Sequence, residues 1–164
     1  MIQIDSLMAE AVRRGGAWIA CRPGCCECCI GPFSISQSDA ARLREGIAQL
    51  DAAIALRVRD RARNYIAAIH SYDEEGLPEG MDDIACPALD PANGTCDLYD
   101  ARPITCRTFG PAVKTSDGAV ATCELCFKGA SEDRIAACAV EIDRGLLELD
   151  APSATLVALA LSSF

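Results

Sequence analysis

The chain has 164 residues, enough for one domain of ordinary size with a core of its own. It is 51% hydrophobic and only 5% aromatic, with Ala, Leu and Ile dominating the apolar share, a balance that favours helix over sheet. Its 24 acidic against 15 basic residues leave a formal net charge of -9, which excludes nucleic acid or an anionic membrane as the main partner, since both require a basic face.

Residues Asp5 to Ile19 predict a first helix, capped by Asp5 or Ser6, with Leu7, Met8, Ala11, Val12 and Trp18 as a rough apolar stripe and Gly15-Gly16 weakening its end. Then comes Cys21-Arg-Pro-Gly-Cys25-Cys26-Glu27-Cys28-Cys29, five cysteines in nine positions, closed by Gly31-Pro32. Ser36 to Tyr72 is the longest helical region. Leu43, Ile47, Leu50, Ile54, Val58, Tyr65, Ile69 and Tyr72 recur at three- and four-residue steps, as expected of one bent helix or two joined near Leu50-Asp51. Ser36 or Ser38 caps it, and the Arg57 to Arg63 stretch reads as a solvated face.

Asp73 to Asp83 is a loop by its Gly76, Pro78 and Gly80, and Cys86 to Gly110 is irregular with tight turns. Ala112 to Thr122 predicts a short hairpin turning at Ser116-Asp117-Gly118. Ser131 to Leu149 predicts a helix capped by Ser131, and Pro152 opens a final short helix to Ser162, with a buried strand as the alternative. The expected fold is mainly α: a single helical domain, residues 1–164, with cysteine-rich irregular loops around a metal centre and a possible short β-hairpin.

Eleven cysteines force a choice between disulfides and metal ligation. An odd number cannot pair completely, and the neighbours Cys25-Cys26 and Cys28-Cys29 are poor disulfide partners. The N-terminal sequence shows no basic segment followed by an apolar stretch, and no apolar run reaches membrane-spanning length. A cytoplasmic protein is therefore expected, and clustered thiols in a reducing compartment are ligands rather than disulfides.

Cys25-x-x-Cys28-Cys29 and Cys123-x-x-Cys126 are short chelating units, and Pro23-Gly24 supplies a bend that brings Cys21 to the first of them. Cys86, Cys96 and Cys106 lie at even spacing in the turn-rich stretch. Cys138 falls on the apolar face of its helix and reads as core, and the single histidine, His70, reads as a helix-surface residue. With one histidine no Ser-His-Asp set is indicated, and no glycine-rich phosphate loop appears. Glu27 reads as a solvent-facing loop residue.

The segment Cys25-Cys26-Glu27-Cys28-Cys29 resembles the CxxCxxCC signature of the YkgJ-type cysteine-cluster family, a proposed zinc- or iron-chelating domain. The resemblance continues in Cys86-Pro87-Ala88-Leu89, Cys96-Asp97-Leu98-Tyr99 and Arg102-Pro103 with Cys106-Arg107-Thr108-Phe109, and spans roughly Cys21 to Cys126. In this chain Cys21 stands four residues before Cys25 where the family spacing is three, and Cys26 replaces the usual glycine, so the first ligand position is open to either.

The residues and the resemblance together name Cys21, Cys25, Cys28, Cys29, Cys86, Cys96, Cys106, Cys123 and Cys126 as metal ligands, enough for two four-thiolate sites with one to spare, or equally for one cluster with an open coordination position. Zinc and an iron-sulfur cluster both fit such donors. Arg22, Arg102 and Arg107 flank the ligands and can offset their excess negative charge. The leading expectation is a metal-binding protein whose partner is a metal ion. The alternatives are an iron-sulfur enzyme of redox or group-transfer chemistry, by analogy with a flagellin lysine methylase family of similar signature, and a metal storage or delivery protein.

Overall fold

In the computed structural model, which describes residues 2–70, 83–115, 118–143 and 155–162, Ser36 and Ser131 cap their helices as foreseen, whereas Asp5 and Ser6, expected to cap the first helix, lie inside it because it already begins at Ile2. The Ser36 hydroxyl accepts from the Asp39 amide at 3.1 Å, and that of Ser131 from the Arg134 amide at 3.3 Å. The helices are α1 (Ile2–Gly15), α2 (Gln37–Gln49), α3 (Ala52–His70), α4 (Ile104–Thr108), α5 (Glu132–Cys138) and α6 (Val157–Ser162). The strands are two or three residues long: β1 (Ser34–Ile35), β2 (Leu89–Asp90), β3 (Thr95–Cys96), β4 (Val113–Thr115), β5 (Val120–Ala121), β6 (Val140–Ile142) and β7 (Thr155–Leu156). Among the described residues the chain is mainly helical, and no helix is long and apolar enough to cross a membrane.

The backbone divides into two compact units. The first comprises Met1–Cys25 and Ile104–Leu149, and the second Cys26–Pro103 and Asp150–Phe164. The five-cysteine run is thus shared, with Cys21 and Cys25 in the first unit and Cys26, Cys28 and Cys29 in the second.

In the first unit, α1 packs against α4, α5 and β6. Ile4, Met8 and Ala11 meet Val140 and Ile142 in one core, while Ala112, Cys123, Cys126, Phe127 and Cys138 form another. Cys138 is buried and its thiol donates to the Arg14 carbonyl at 3.3 Å, which bears out its reading as core. The foreseen hairpin is present: β4 and β5 pair antiparallel, and Gly118 has φ +88°. The predicted helix 131–149 is overturned over 139–143, and its remainder, 144–149, lies outside the described residues. It ends at Cys138, and Val140–Ile142 instead pairs in parallel with β4, Val113 opposite Val140. Val140 and Ile142 are β-branched and alternate buried, exposed, buried about Glu141, so the free edge of β4 wins over continued helix.

In the second unit, α2 and α3 separate at Leu50-Asp51, where the sequence placed the joint; α6 packs on both, with Val157, Ala160 and Leu161 against Leu43, Ile47 and Val58. The final segment adopts both of its expected alternatives in turn, since β7 pairs antiparallel with β1 before α6 begins. The loop foreseen at 73–83 lies almost wholly outside the described residues, as does the side chain of His70.

Candidate metal centres

All eleven cysteines are free of disulfides. Most lie on non-repetitive backbone, but Cys106, expected in a loop, sits half-buried in the short helix α4.

The first unit assembles one thiol set. After Trp18 the chain leaves its helical turn at Ile19, which is extended, and turns back beyond Cys21, with the Cys25 amide bonding the Arg22 carbonyl at 2.9 Å and Gly24 at φ +87°. Cys123 and Cys126 close a second turn through an amide-to-carbonyl bond of 2.9 Å. That turn continues into Phe127 at φ +55°, whose amide donates to the Trp18 carbonyl at 2.9 Å and whose ring stacks on Trp18 at 6.5 Å. Two backbone amides aim at sulfur: Leu125 at Cys123 Sγ and Ala20 at Cys126 Sγ, each at 3.4 Å. Cys21 is exposed as a residue but its sulfur is partly desolvated where it turns toward Gly110, and this, then the neighbouring Cys126, Cys25 and Cys123, pushes its thiol up to about 12. Burial also raises Cys123, whose neighbours include Cys126 and Cys25. These four sulfurs are therefore near enough to repel one another as thiolates.

Gly110 shapes this set. Its φ is +114°, its carbonyl accepts from the Cys123 amide at 3.0 Å and the Thr122 hydroxyl at 2.8 Å, and an added Cβ would stand 2.5 Å from Cys21 Sγ. Only glycine combines this backbone with a sulfur so close. Gly110→Ala is expected to destabilise the protein by about 1–3 kcal/mol and to displace Cys21; a denaturation midpoint equal to that of the parent would contradict this.

The second unit assembles another set. Cys26 caps a 3-10 turn over Glu27–Cys29, and its partly buried side chain packs on the core that contains Cys29 and Cys86. The Cys86 amide donates to the Cys29 carbonyl at 2.6 Å, and Gly31 to Ile84 at 2.9 Å, which fastens the Cys28-Cys29 turn to the Cys86 segment. The β2–β3 hairpin then returns Cys96 opposite Leu89. Its turn is locked by Asp90, which accepts from the Ala92 amide and Asn93, and by Gly94 at φ +69°. Cys28 Sγ and Cys29 Sγ are 3.9 Å apart.

Hydrogen bonding from Cys29, ahead of the opposing burial and the favourable charge of Arg102, pulls Cys28 down to about 6. The same pairing, with burial and the nearby Cys28, Cys86 and Cys96, drives Cys29 up. Burial lifts Cys86 to about 12 and also raises Cys96, and in each case the amide two residues on, Ala88 or Leu98, bonds the sulfur and opposes the rise. Cys86-x-Ala88, Cys96-x-Leu98 and Cys123-x-Leu125 are thus three copies of one knuckle, an amide at the second following residue aimed at the sulfur. Such donors favour the charged form, the form that binds metal.

Arg61 was hidden in the sequence. Its stretch read as a solvated face, yet Arg61 is half-buried and donates to the Pro87 carbonyl at 2.7 Å and to the Asp97 carboxylate, joining the residues that follow Cys86 and Cys96. A signal was available: Arg61 lies three residues after Val58 and four before Tyr65, on the buried side of α3. Arg61→Met is expected to cost about 2 kcal/mol, read by urea denaturation, because it orphans a partly buried carboxylate and a carbonyl. Arg102 lies over the Tyr99 ring at 3.6 Å and lowers both Cys28 and Cys96, which suits its expected charge-offsetting role. Arg107 instead bonds Asp5 of α1 at 2.7 Å, and Arg22 reaches the Ala20 carbonyl at 3.4 Å.

Among the described residues no three donors stand in a ready-made metal-ligating arrangement. The donor chemistry fits a thiophilic metal all the same: unbridged thiols are gathered from distant segments, amides point at their sulfurs, and Arg61 and Arg102 lower the thiol pKa values in the second unit. Residues 20–127 match the family model of CxxCxxCC, a proposed zinc- or iron-chelating domain. Neither a curated protein nor a solved structure matches.

Proposed function

The chain belongs to the CxxCxxCC family, and on that premise we propose that it binds metal in two separate sets of four thiolates, one per unit. Cys21, Cys25, Cys123 and Cys126 make the first set, and Cys28, Cys29, Cys86 and Cys96 the second. The observation that carries this reading is where the backbone gathers the thiols: Cys21, Cys25, Cys123 and Cys126 share one unit, fastened by the Cys123 amide to the Gly110 carbonyl beside the Cys21 sulfur and by Phe127 to Trp18, while Cys28, Cys29, Cys86 and Cys96 share the other, fastened by the Cys86 amide to the Cys29 carbonyl. Cys106, the ninth candidate, is the one to spare.

The bound ion supplies positive charge that keeps four sulfurs together. The protein supplies the rest. The knuckle amides hold the Cys86, Cys96 and Cys123 sulfurs as acceptors, and in the second set Arg61 and Arg102 offset the net charge of about -2 left by four thiolates around a dication. In the second set, the Cys28–Cys29 sulfur separation of 3.9 Å matches the edge of about 3.8 Å expected for a tetrahedron with metal–sulfur bonds of about 2.3 Å. That spacing suits two thiolates on one tetrahedral metal, whether a lone zinc or iron ion or one iron of a two-iron cluster, and the simpler single ion is the reading carried to the test.

Anaerobic purification with elemental analysis and a visible spectrum tests this. Two metal equivalents per chain are expected, with Cys86→Ser and Cys123→Ser each losing one and the double variant both. A single equivalent abolished by either change alone would refute the two-set reading, and broad brown absorption would replace the single-ion reading with an iron-sulfur cluster.

A further inference from the structure

On the two-set reading, the premise of this inference, the sets differ in how they are anchored. Cys21 is the one exposed cysteine of the eleven, and Arg22, Pro23 and Gly24 after it are exposed as well. Its sulfur faces the bare backbone of Gly110. In the second unit, Cys29 and Cys86 are members of the hydrophobic core with Ile35, Leu43 and Val58, and Cys28 and Cys96 pack against that core. Detaching Cys21 from a metal moves an exposed loop, whereas detaching Cys29 or Cys86 opens apolar core to water.

Ligand substitution at a thiolate-bound ion needs one ligand that can leave and an approach for its replacement. Cys21 offers both. We infer that the first unit carries an exchangeable metal ion, handed through Cys21 to a thiol-bearing acceptor, while the second unit retains its ion as part of the fold. In each step the incoming thiol gives up its proton as its sulfur–metal bond forms, the Cys21–metal bond breaks, and the Cys21 thiolate takes up a proton; no electron moves. Cys123 and Cys126 belong to the core of their own unit, so substitution starts at exposed Cys21, passes to half-buried Cys25 and reaches those two last, and the first two steps set the faster rate.

The single tryptophan provides a local reporter, because Trp18 stacks on Phe127, the residue after Cys126. The full chain, loaded with zinc, is mixed with excess chromophoric chelator, with and without glutathione, while zinc release and Trp18 fluorescence are followed together. Two equivalents are expected to leave at rates at least about tenfold apart. The fast one should coincide with the fluorescence change and accelerate with glutathione concentration. Cys21→Ser should speed or eliminate the fast equivalent alone. A single bound equivalent overturns the two-set reading and this inference with it. Two equivalents leaving at one rate, or a fast phase untouched by Cys21→Ser and silent in fluorescence, overturn this inference while leaving the two sets standing.

Discussion

Complete removal of metal under reducing conditions is expected to unfold the cysteine-bearing segments while sparing much of α2, α3 and α6. The reason lies in how little else holds those segments. Strands β2 and β3 have two residues each, a length that gives no independent stability in water. The stretch from Cys123 to Ala130 is a series of turns without helix or strand. Structural zinc in thiolate sites contributes about 10 kcal/mol or more of apparent binding energy at neutral pH, comparable with the whole stability of a domain. The α2–α3–α6 packing has its own apolar contacts, Leu43, Ile47 and Val58 against Ala160 and Leu161, and the Ser36 cap besides. Chelation should therefore erase near-ultraviolet dichroism and shift Trp18 emission to the red, lower the thermal midpoint by on the order of 20 °C, and remove only part of the helical signal. Zinc returned to the stripped protein should restore all of them. A stripped sample with unchanged near-ultraviolet dichroism and midpoint would show that the loops hold themselves.

Short-range chemistry was legible in the sequence. The Ser36 and Ser131 caps, the joint at Leu50-Asp51 and the β4–β5 hairpin are decided by residues within a few positions of one another, and each stands where the pattern put it. Partnership across long separations was not legible. The helix foreseen through Leu149 stops at Cys138 because Val113, far back in the chain, offers an edge to Val140. Arg61 passed for a surface charge because its partners, Pro87 and Asp97, are 26 and 36 residues away. Periodicity marks a buried face but says nothing of what lies opposite it.

The cysteines show both sides of this division. Their density announced a shared chemical purpose, and the short Cys-x-x-Cys spacings marked the turns that carry it. Nothing in the spacing reveals that the run from Cys21 to Cys29 is divided between Cys25 and Cys26, its first part joining a unit with Cys123 and Cys126 and its second a unit with Cys86 and Cys96. That assignment comes from which strands and turns return to which half, and parallel pairing between β4 and β6 is a tertiary outcome no local pattern encodes.

The strongest pH effect is expected at the second set. Metal binds thiolate, so every protonated ligand must lose its proton on loading, and the apparent affinity weakens as pH falls by about tenfold per pH unit for each proton displaced. Cys28 is held down to about 6, first by hydrogen bonding from Cys29, and above that pH it is already charged and releases nothing. Cys29, Cys86 and Cys96 are all pushed above the ordinary thiol value of 9.0, Cys29 first by its pairing with Cys28 and the other two by burial. Between about pH 6 and 9 the ion therefore displaces three protons, and affinity should fall about a thousandfold per pH unit across that window; below it Cys28 joins them and the slope steepens. Calorimetric titration of the metal-free protein with zinc, in buffers of different ionisation enthalpy near neutral pH, counts the protons: three for this set where Cys28 and Cys29 stay seated on the α2–α3–α6 core after stripping, four where they unfold and Cys28 loses its hydrogen bond. Cys86→Ser, which loses this set's ion, should remove the set's whole share of the released protons. A count of one or none would mean that these thiols are already thiolates before metal arrives, contrary to the burial of Cys29 and Cys86 in an apolar core.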